Sequence, residues 1–268
     1  MALRVWVTAL NRVLFPTLGS PTIPALNIPL YLRVLVRKGV LVWKAQCHDE
    51  IVEFEEELGQ ALPPDMPNRD NLIEKAARHL HLIVSANEHM NLTRITDPRE
   101  AAIKHVYDSV LPWRHFRHAK RILDAGTGAG FPGVPLSIVL PDVRFCLTES
   151  TQKKARFVDS AVESLELPNV HVFPERAEEV ALTQRPEIIT ARAVAPIGRI
   201  IDLFGKALKN GTRLLLYKGP DVENELAEAG KHRVHAEVVC RYDLPHNLGT
   251  RTLIQLQAQK SERAANSD

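Results

Sequence analysis

Residues 121–133, R-I-L-D-A-G-T-G-A-G-F-P-G, restrict this chain more than any other stretch. A short apolar run, Ile122-Leu123, ends in an acid, Asp124. Glycines follow at alternate positions, Gly126, Gly128 and Gly130, and Phe131-Pro132-Gly133 leads into an apolar segment suited to a helix. Strand, glycine loop and helix in this order bring bare backbone against a nucleotide-like ligand. Glycine supplies positive φ and lacks the Cβ that would hold such a ligand off.

Two ligands satisfy the string. Gly128, Gly130 and Gly133 spell G-x-G-x-x-G, the dinucleotide fingerprint, which seats a pyrophosphate on the helix N-terminus. Asp124 with Gly126, Gly128 and Gly130 spells the loop of S-adenosylmethionine (AdoMet) methyltransferases. AdoMet carries an ammonium and a sulfonium and no phosphate. An acid at the strand end is then useful rather than repulsive, so Asp124 favours AdoMet.

The text after the loop alternates. Strand-like runs at 120–125, 143–148, 169–173, 187–191 and 212–217 are separated by helical stretches at 133–140, 151–166, 176–182 and 197–209. This spacing predicts βαβ units and a parallel sheet. A helix near 221–230 follows. Two longer strand-like runs, 234–243 and 250–257, then predict an antiparallel hairpin. Five parallel strands and a hairpin make the α/β, Rossmann-like, seven-stranded sheet of AdoMet methyltransferases.

Before the loop the text is helical. Ile51, Val52, Phe54 and Leu58 predict a short helix stopped by Gly59. Asp70 is expected to cap a longer helix carrying Leu72, Ile73, Ala76, Ala77, Leu80, Ile83 and Val84. Asp97, Pro98 and Glu100 begin a third, carrying Ile103, Val106, Tyr107 and Val110. The domain reading is an irregular extension over 1–46, a helical segment over 47–117, an AdoMet-binding domain over 118–258 and a polar tail over 259–268.

Charge separates the extension from the body. Residues 1–46 hold Arg4, Arg12, Arg33, Arg37, Lys38 and Lys44 and no acid. With six of the 34 basic residues there, the remaining 28 face all 32 acids, a net of −4. Any nucleic-acid surface on the body is therefore a local patch. The extension is broken by Pro16, Pro21, Pro24 and Pro29 and has no apolar run near the ~18 residues of a membrane span. Cys47, Cys146 and Cys240 are far apart, with no metal spacing, which suits a reduced, cytoplasmic setting. Cys146, inside an apolar run, reads as a core residue.

In a sheet of this kind the ligand crevice lies beyond the carboxyl ends of the strands. Glu149 ends the second strand and can accept from ribose hydroxyls. Arg176-Ala177-Glu178 follows the third, where backbone and Glu178 can hold an adenine amino group. Phe131 packs on the ligand or on the core. Thr190-Ala191-Arg192-Ala193 ends the fourth strand. Methylases of exocyclic amines carry an Asn/Asp-Pro-Pro-aromatic turn at this point, and pyrimidine C5 methylases need a cysteine; neither is present. Arg192 stands there instead, and an arginine aimed into a crevice requires an anion. Tyr217-Lys218-Gly219-Pro220 ends the fifth strand with a second cation.

Asn91-Leu92-Thr93, Asp97-Pro98, Lys104-His105, Asp108-Ser109, the loop from Asp124 to Gly133, Arg192-Ala193 and Lys218-Gly219 together resemble the RsmG (GidB) family of bacterial small-subunit rRNA guanine-N7 methyltransferases. The resemblance covers about residues 50–257. It implies that AdoMet is held at Gly126, Phe131, Ala177, Glu178 and Arg192, with Glu149 where relatives often have Asp. It implies contact of Arg94 and Lys218 with RNA. It implies methyl transfer to N7 of a guanine in 16S rRNA, on the small ribosomal subunit or an assembly intermediate, by a monomer without metal. No general base is needed, because N7 carries a free lone pair in the neutral base. Two other classes stay open on the residues alone: an AdoMet methyltransferase for a small molecule, and an NAD-binding oxidoreductase using Gly128, Gly130 and Gly133. An AdoMet-binding sensor without catalysis is a third.

Overall fold

The computed structural model describes residues 49–192 and 194–259, the side chain of Glu88 excepted. The expected extension over 1–46 and the tail from 260 onward lie outside them. The chain enters through a helix over 49–61, α1. It does not stop at Gly59. The Arg69 guanidinium donates to the carbonyls of Gly59, at 2.5 Å, and Leu62, at 3.5 Å. A side chain that satisfies these terminal carbonyls replaces the glycine stop.

The long helix α2, Arg69–Met90, begins at Asn68 rather than at a cap from Asp70. Asn68 is left-handed, with φ 54°, and its amide donates to Ile138 and Val139 carbonyls at 3.4 and 3.3 Å. The residue at the helix start is spent on tying the preface to the glycine-loop helix, and Asp70 lies inside the first turn. The next start follows the expected pattern. The Asp97 carboxylate accepts from Glu100 N–H at 2.9 Å, and Pro98 is the first residue of α3, Pro98–Ala101. This helix then widens into a π turn, Ala102–Tyr107, and tightens again as α4, Asp108–Val110.

The remaining elements alternate: β1 Arg121–Ala125, α5 Gly133–Val139, β2 Arg144–Thr148, α6 Gln152–Ser164, β3 Val170–Phe173, α7 Ala177–Gln184, β4 Ile188–Arg192, α8 Ile197–Lys209, β5 Arg213–Lys218, α9 Glu223–Lys231, β6 Val234–Asp243 and β7 Thr250–Ala258. The strand order is β3-β2-β1-β4-β5-β7-β6. β1 to β5 pair in parallel; β7 runs antiparallel between β5 and β6. A dinucleotide fold would add a sixth parallel strand where this chain places its hairpin. No helix among the described residues is long and apolar enough to cross a membrane.

Two cores flank the sheet, and the strand pleat sorts residues between them. Ile122, Leu147, Leu215, Tyr217 and Leu253 pack with α1, α2, the 98–110 segment, α5 and α6. Leu123, Cys146, Ile189, Leu214, Leu216 and Ile254 pack with α7, α8 and α9. Parallel strands covered on both faces read as continuous apolar runs, as these do.

At the start of α5 the helix lies close against the sheet. A Cβ on Gly133 would overlap Leu147 Cδ2 and stand 2.8 Å from Asp124 Oδ2. Gly133→Ala should therefore lower stability by about 1–3 kcal/mol, the usual cost of overpacking. Urea unfolding checks this; an unchanged midpoint would show that α5 can move off the sheet freely.

Candidate cofactor and substrate site

The glycine loop is closed by one carboxylate. Asp124 is fully buried at the end of β1. Its Oδ2 accepts from the Thr127 hydroxyl at 2.7 Å and from Gly133 N–H at 2.8 Å, joining the start of the loop to its end. Thr148 on β2 braces the same loop. Its hydroxyl accepts from Gly126 N–H at 3.3 Å and donates to the Asp124 carbonyl at 2.9 Å, and its carbonyl accepts from Thr127 N–H at 2.9 Å. Asp124 thus first holds the loop in shape, a role its sequence position did not announce. Its Oδ1 remains buried without a partner. Burial raises the carboxyl pKa to about 6, against the opposing pull of Thr127, Gly133 and Arg192. Gly126 and Gly128 have φ of 69° and 61°, and a Cβ on Gly128 would meet nothing within 4 Å. The face of the loop at Gly128 is open to a ligand.

Beneath the loop stands a stack of rings. Phe131 is 6% exposed. Its ring lies parallel to His105 at 4.7 Å and tilted against His79 at 5.0 Å, with the Arg192 guanidinium 5.3 Å from its centre. Of the two roles open to Phe131, the ring takes the interior one. His79, on α2, donates from Nε2 to the Ala129 carbonyl at 2.9 Å, and its Nδ1 has no partner. His105 Nε2 meets the Thr93 hydroxyl at 3.0 Å, and that hydroxyl also accepts from Ile95 N–H at 3.0 Å. The Asn-Leu-Thr segment is thereby pinned to the ring that supports the loop.

Arg192 ends β4 and turns toward the preface. Asp108 N–H bonds back to Ile103, five residues earlier, so the π turn skips a carbonyl. Arg192 Nη1 fills the gap. It donates to Lys104 O at 3.0 Å, with His105 O at 3.4 Å, Asp108 Oδ2 at 3.4 Å and Ser109 Oγ at 3.3 Å around the same nitrogen. Nε and Nη2 make no hydrogen bond among the described residues, and the side chain is 17% exposed. The anion that the strand-end arginine requires is in part Asp108, supplied by the protein itself.

The other expected site residues lie as follows. Gly126 borders the exposed Val194, whose Cγ2 would stand 3.3 Å from an added Cβ. Glu149, half-buried after β2, gives Oε1 to Thr151 N–H at 2.8 Å, so one oxygen is committed to the turn into α6. Ala177 and Glu178 open α7 after β3 and are half-buried. Arg94 is exposed in the segment between α2 and α3. Lys218, expected at RNA phosphate, has partners within the protein. Its Nζ donates to Glu225 Oε2 at 2.6 Å and to the Ala195 carbonyl at 2.9 Å, and Glu225 Oε2 also accepts from Ile197 N–H at 3.0 Å. The charge is spent locally, on fixing the loop between β4 and α8. Nor do Arg192 and Lys218 flank one opening. Arg192 is level with Tyr217 across β4–β5, and Lys218 is one residue further, so the pleat sends it to the other face.

His105, Asp108 and Thr93 enter the sequence pattern only as parts of the resemblance, without a role, and His79, Tyr242 and Arg251 do not enter it. The available signal was the spacing of Lys104-His105 and Asp108-Ser109 within one amphipathic segment: polar residues placed among Ile103, Val106 and Val110 must be buried and partnered.

The family model described as GidB, rRNA small subunit methyltransferase G, matches residues 72–252. The chain is 60% identical over 208 residues to ribosomal RNA small subunit methyltransferase G of Solibacter usitatus, covering 76% of this chain and 99% of that protein. It is 36% identical over 193 residues to the protein of the same name from Carboxydothermus hydrogenoformans, covering 68% of this chain and 81% of the relative. Among solved structures, cofactor-bound Rv0187 from MTB superposes with a TM-score of 0.50 at 15% identity, over 75% of this chain and all of that one, a likeness of fold alone.

The ring stack makes a pH prediction. Burial lowers the pKa of His79 to about 4. Burial, then the charges of Arg192, His79 and Lys104, lower that of His105 to about 3. The unfolded chain binds these two protons near pH 6.5 and the folded chain does not, so stability is lost as pH falls from 6.5 toward 4. Asp124, raised from 3.8 to about 6, acts in the opposite direction over the same window. The net is one proton, a loss of about 1.4 kcal/mol per pH unit. In His105→Gln the slope between pH 4.5 and 6 should shrink by about that amount in urea titrations. An unchanged slope would mean that His105 is protonated in the fold.

Proposed function

The chain belongs to the GidB family, rRNA small subunit methyltransferase G, and from that premise we propose that it transfers a methyl group from AdoMet to N7 of a guanine in 16S rRNA. The observation that carries the reading is the glycine loop itself: closed by Asp124, open at Gly128, and ending beside an arginine with donors to spare. The cofactor supplies an electrophilic methyl on a sulfonium. The residues present fit it. The buried, unpartnered Asp124 Oδ1 is an acceptor next to a loop that takes a cationic amino acid end. Arg192 Nε and Nη2 suit the carboxylate of that same end. Glu149 keeps one oxygen for ribose hydroxyls, and the start of α7 at Ala177 and Glu178 meets the adenine. Gly126 contributes backbone; Phe131 acts by supporting the loop rather than by touching the ligand with its ring.

Guanine N7 has an in-plane lone pair in the neutral base. No side chain need remove a proton first, which matches a crevice whose histidines are buried and neutral. The protein's task is placement, worth about 7–11 kcal/mol when two reactants are well oriented. The base must be exposed from its RNA fold, and Arg94, beside the pinned Asn-Leu-Thr segment, is the cation placed to meet the RNA backbone. Lys218 is reassigned from phosphate contact to loop support. The substrate proposed is small-subunit rRNA or an assembly intermediate of that subunit, and the setting proposed is the cytoplasm, with the protein acting as a monomer without metal. The 118–258 segment carries the cofactor and 47–117 shapes the RNA side.

The test is transfer of tritium from labelled AdoMet to small-subunit rRNA, followed by mapping. Label at a single guanine that becomes sensitive to borohydride and aniline is expected; label on another atom, or on small molecules alone, would overturn the reading. Gly128→Ala should weaken AdoMet binding at least tenfold by calorimetry. The fold should survive, at a cost of about 1–2 kcal/mol for a left-handed alanine. Unchanged affinity would remove the loop from the cofactor site.

A further inference from the structure

Asp108 is 1% exposed, yet three donors from two distant parts of the chain converge on its carboxylate. Arg251 Nε reaches Oδ2 at 3.2 Å, Arg192 Nη1 reaches the same oxygen at 3.4 Å, and the Tyr242 hydroxyl lies 3.0 Å from Oδ1 and from the Asp108 carbonyl. Tyr242 and Arg251 are partners across β6 and β7, so both belong to one rung of the C-terminal hairpin. Next door, the Tyr217 hydroxyl donates to the Ser109 carbonyl at 2.6 Å. Two guanidinium groups share one buried carboxylate. Each is therefore held by the other's partner, and neither turns away without leaving charge unpaired in the interior.

We infer that Asp108 is a positioning residue for methyl transfer: with the hairpin behind it, its carboxylate sets the angle at which Arg192 presents Nε and Nη2 to the cofactor. This rests on the reading of Arg192 given above. Nη1 is surrounded by four acceptors, all from residues 104–109, while the rest of the guanidinium has no other hydrogen-bond partner among the described residues. A planar group gripped by one nitrogen has the orientation of its other two set as well. In Asp108→Asn the carboxamide keeps the shape, loses the charge, and offers one acceptor oxygen to two arginines and a phenol. Arg192 then loses its fixed plane while still being present.

The experiment compares steady-state kinetics with small-subunit rRNA for Asp108→Asn, Arg192→Ala and the double variant. Asp108→Asn should raise KM for AdoMet by about tenfold, the scale of one charge-assisted hydrogen bond, and leave KM for RNA unchanged. The double variant should match Arg192→Ala alone, because Asp108 acts only through Arg192. A merely structural role would add to the Arg192→Ala defect and raise KM for both substrates, and that result would overturn the inference. If Arg192→Ala weakens AdoMet and Asp108→Asn does not, the positioning role is wrong and the Arg192 contact stands. If Arg192→Ala leaves AdoMet unchanged, the contact fails and the inference with it. Should Asp108→Asn not fold, Tyr242→Phe, which removes one donor from the same carboxylate, should raise KM for AdoMet about threefold with KM for RNA unchanged. No change there overturns the inference.

Discussion

One buried oxygen, Asp124 Oδ2, holds the centre of this fold together. By accepting from Thr127 and Gly133 it fixes both ends of a glycine-rich loop that would lose much entropy on ordering. The two contacts do not suffice to make its burial favourable, as the raised pKa shows. The other oxygen, Oδ1, is buried without a partner. A buried acceptor left unpaired costs stability in the free protein.

Around that centre the site is assembled from both ends of the chain. The preface supplies His79 and His105 under Phe131, and a π turn whose spare carbonyl receives Arg192. The C-terminal hairpin supplies Tyr242 and Arg251 to Asp108, the first residue after that turn. The π turn is what makes the two meet. An ordinary α-turn would have paired the carbonyl internally and left Arg192 with a charge and no backbone acceptor. The helical segment before the sheet thus braces the glycine loop and Arg192 as well as covering the sheet.

The two strand-end cations show how little separates a substrate contact from a structural tie. Arg192 and Lys218 sit on neighbouring parallel strands, one rung apart. A single step of the pleat sends one into the polar cluster of the preface and the other to Glu225 on the helix of the opposite layer. Each is neutralised by a carboxylate. Lys218 uses two of its three donors on Glu225 and the Ala195 carbonyl, whereas Arg192 keeps Nε and Nη2 together in one rigid plane.

The amino-acid sequence by itself determined the sheet, its strand bounds to within one or two residues, the hairpin at its edge, and the place of the glycine loop. Those follow from local periodicity and glycine placement, which short windows carry. It also placed Gly126, Glu149, Ala177, Glu178 and Arg192 at strand ends, because in a parallel sheet the carboxyl edge is set by topology alone. Tertiary structure alone decided who answers whom. Asn68 rather than Asp70 starts α2 because its amide is claimed by α5, 70 residues away. Lys218 turned out to be paired because Glu225 reaches it from the next helix. Asp108 became a shared partner of residues 84, 134 and 143 positions distant. Such pairings depend on which faces meet after the layers close, and no periodicity along the chain encodes that.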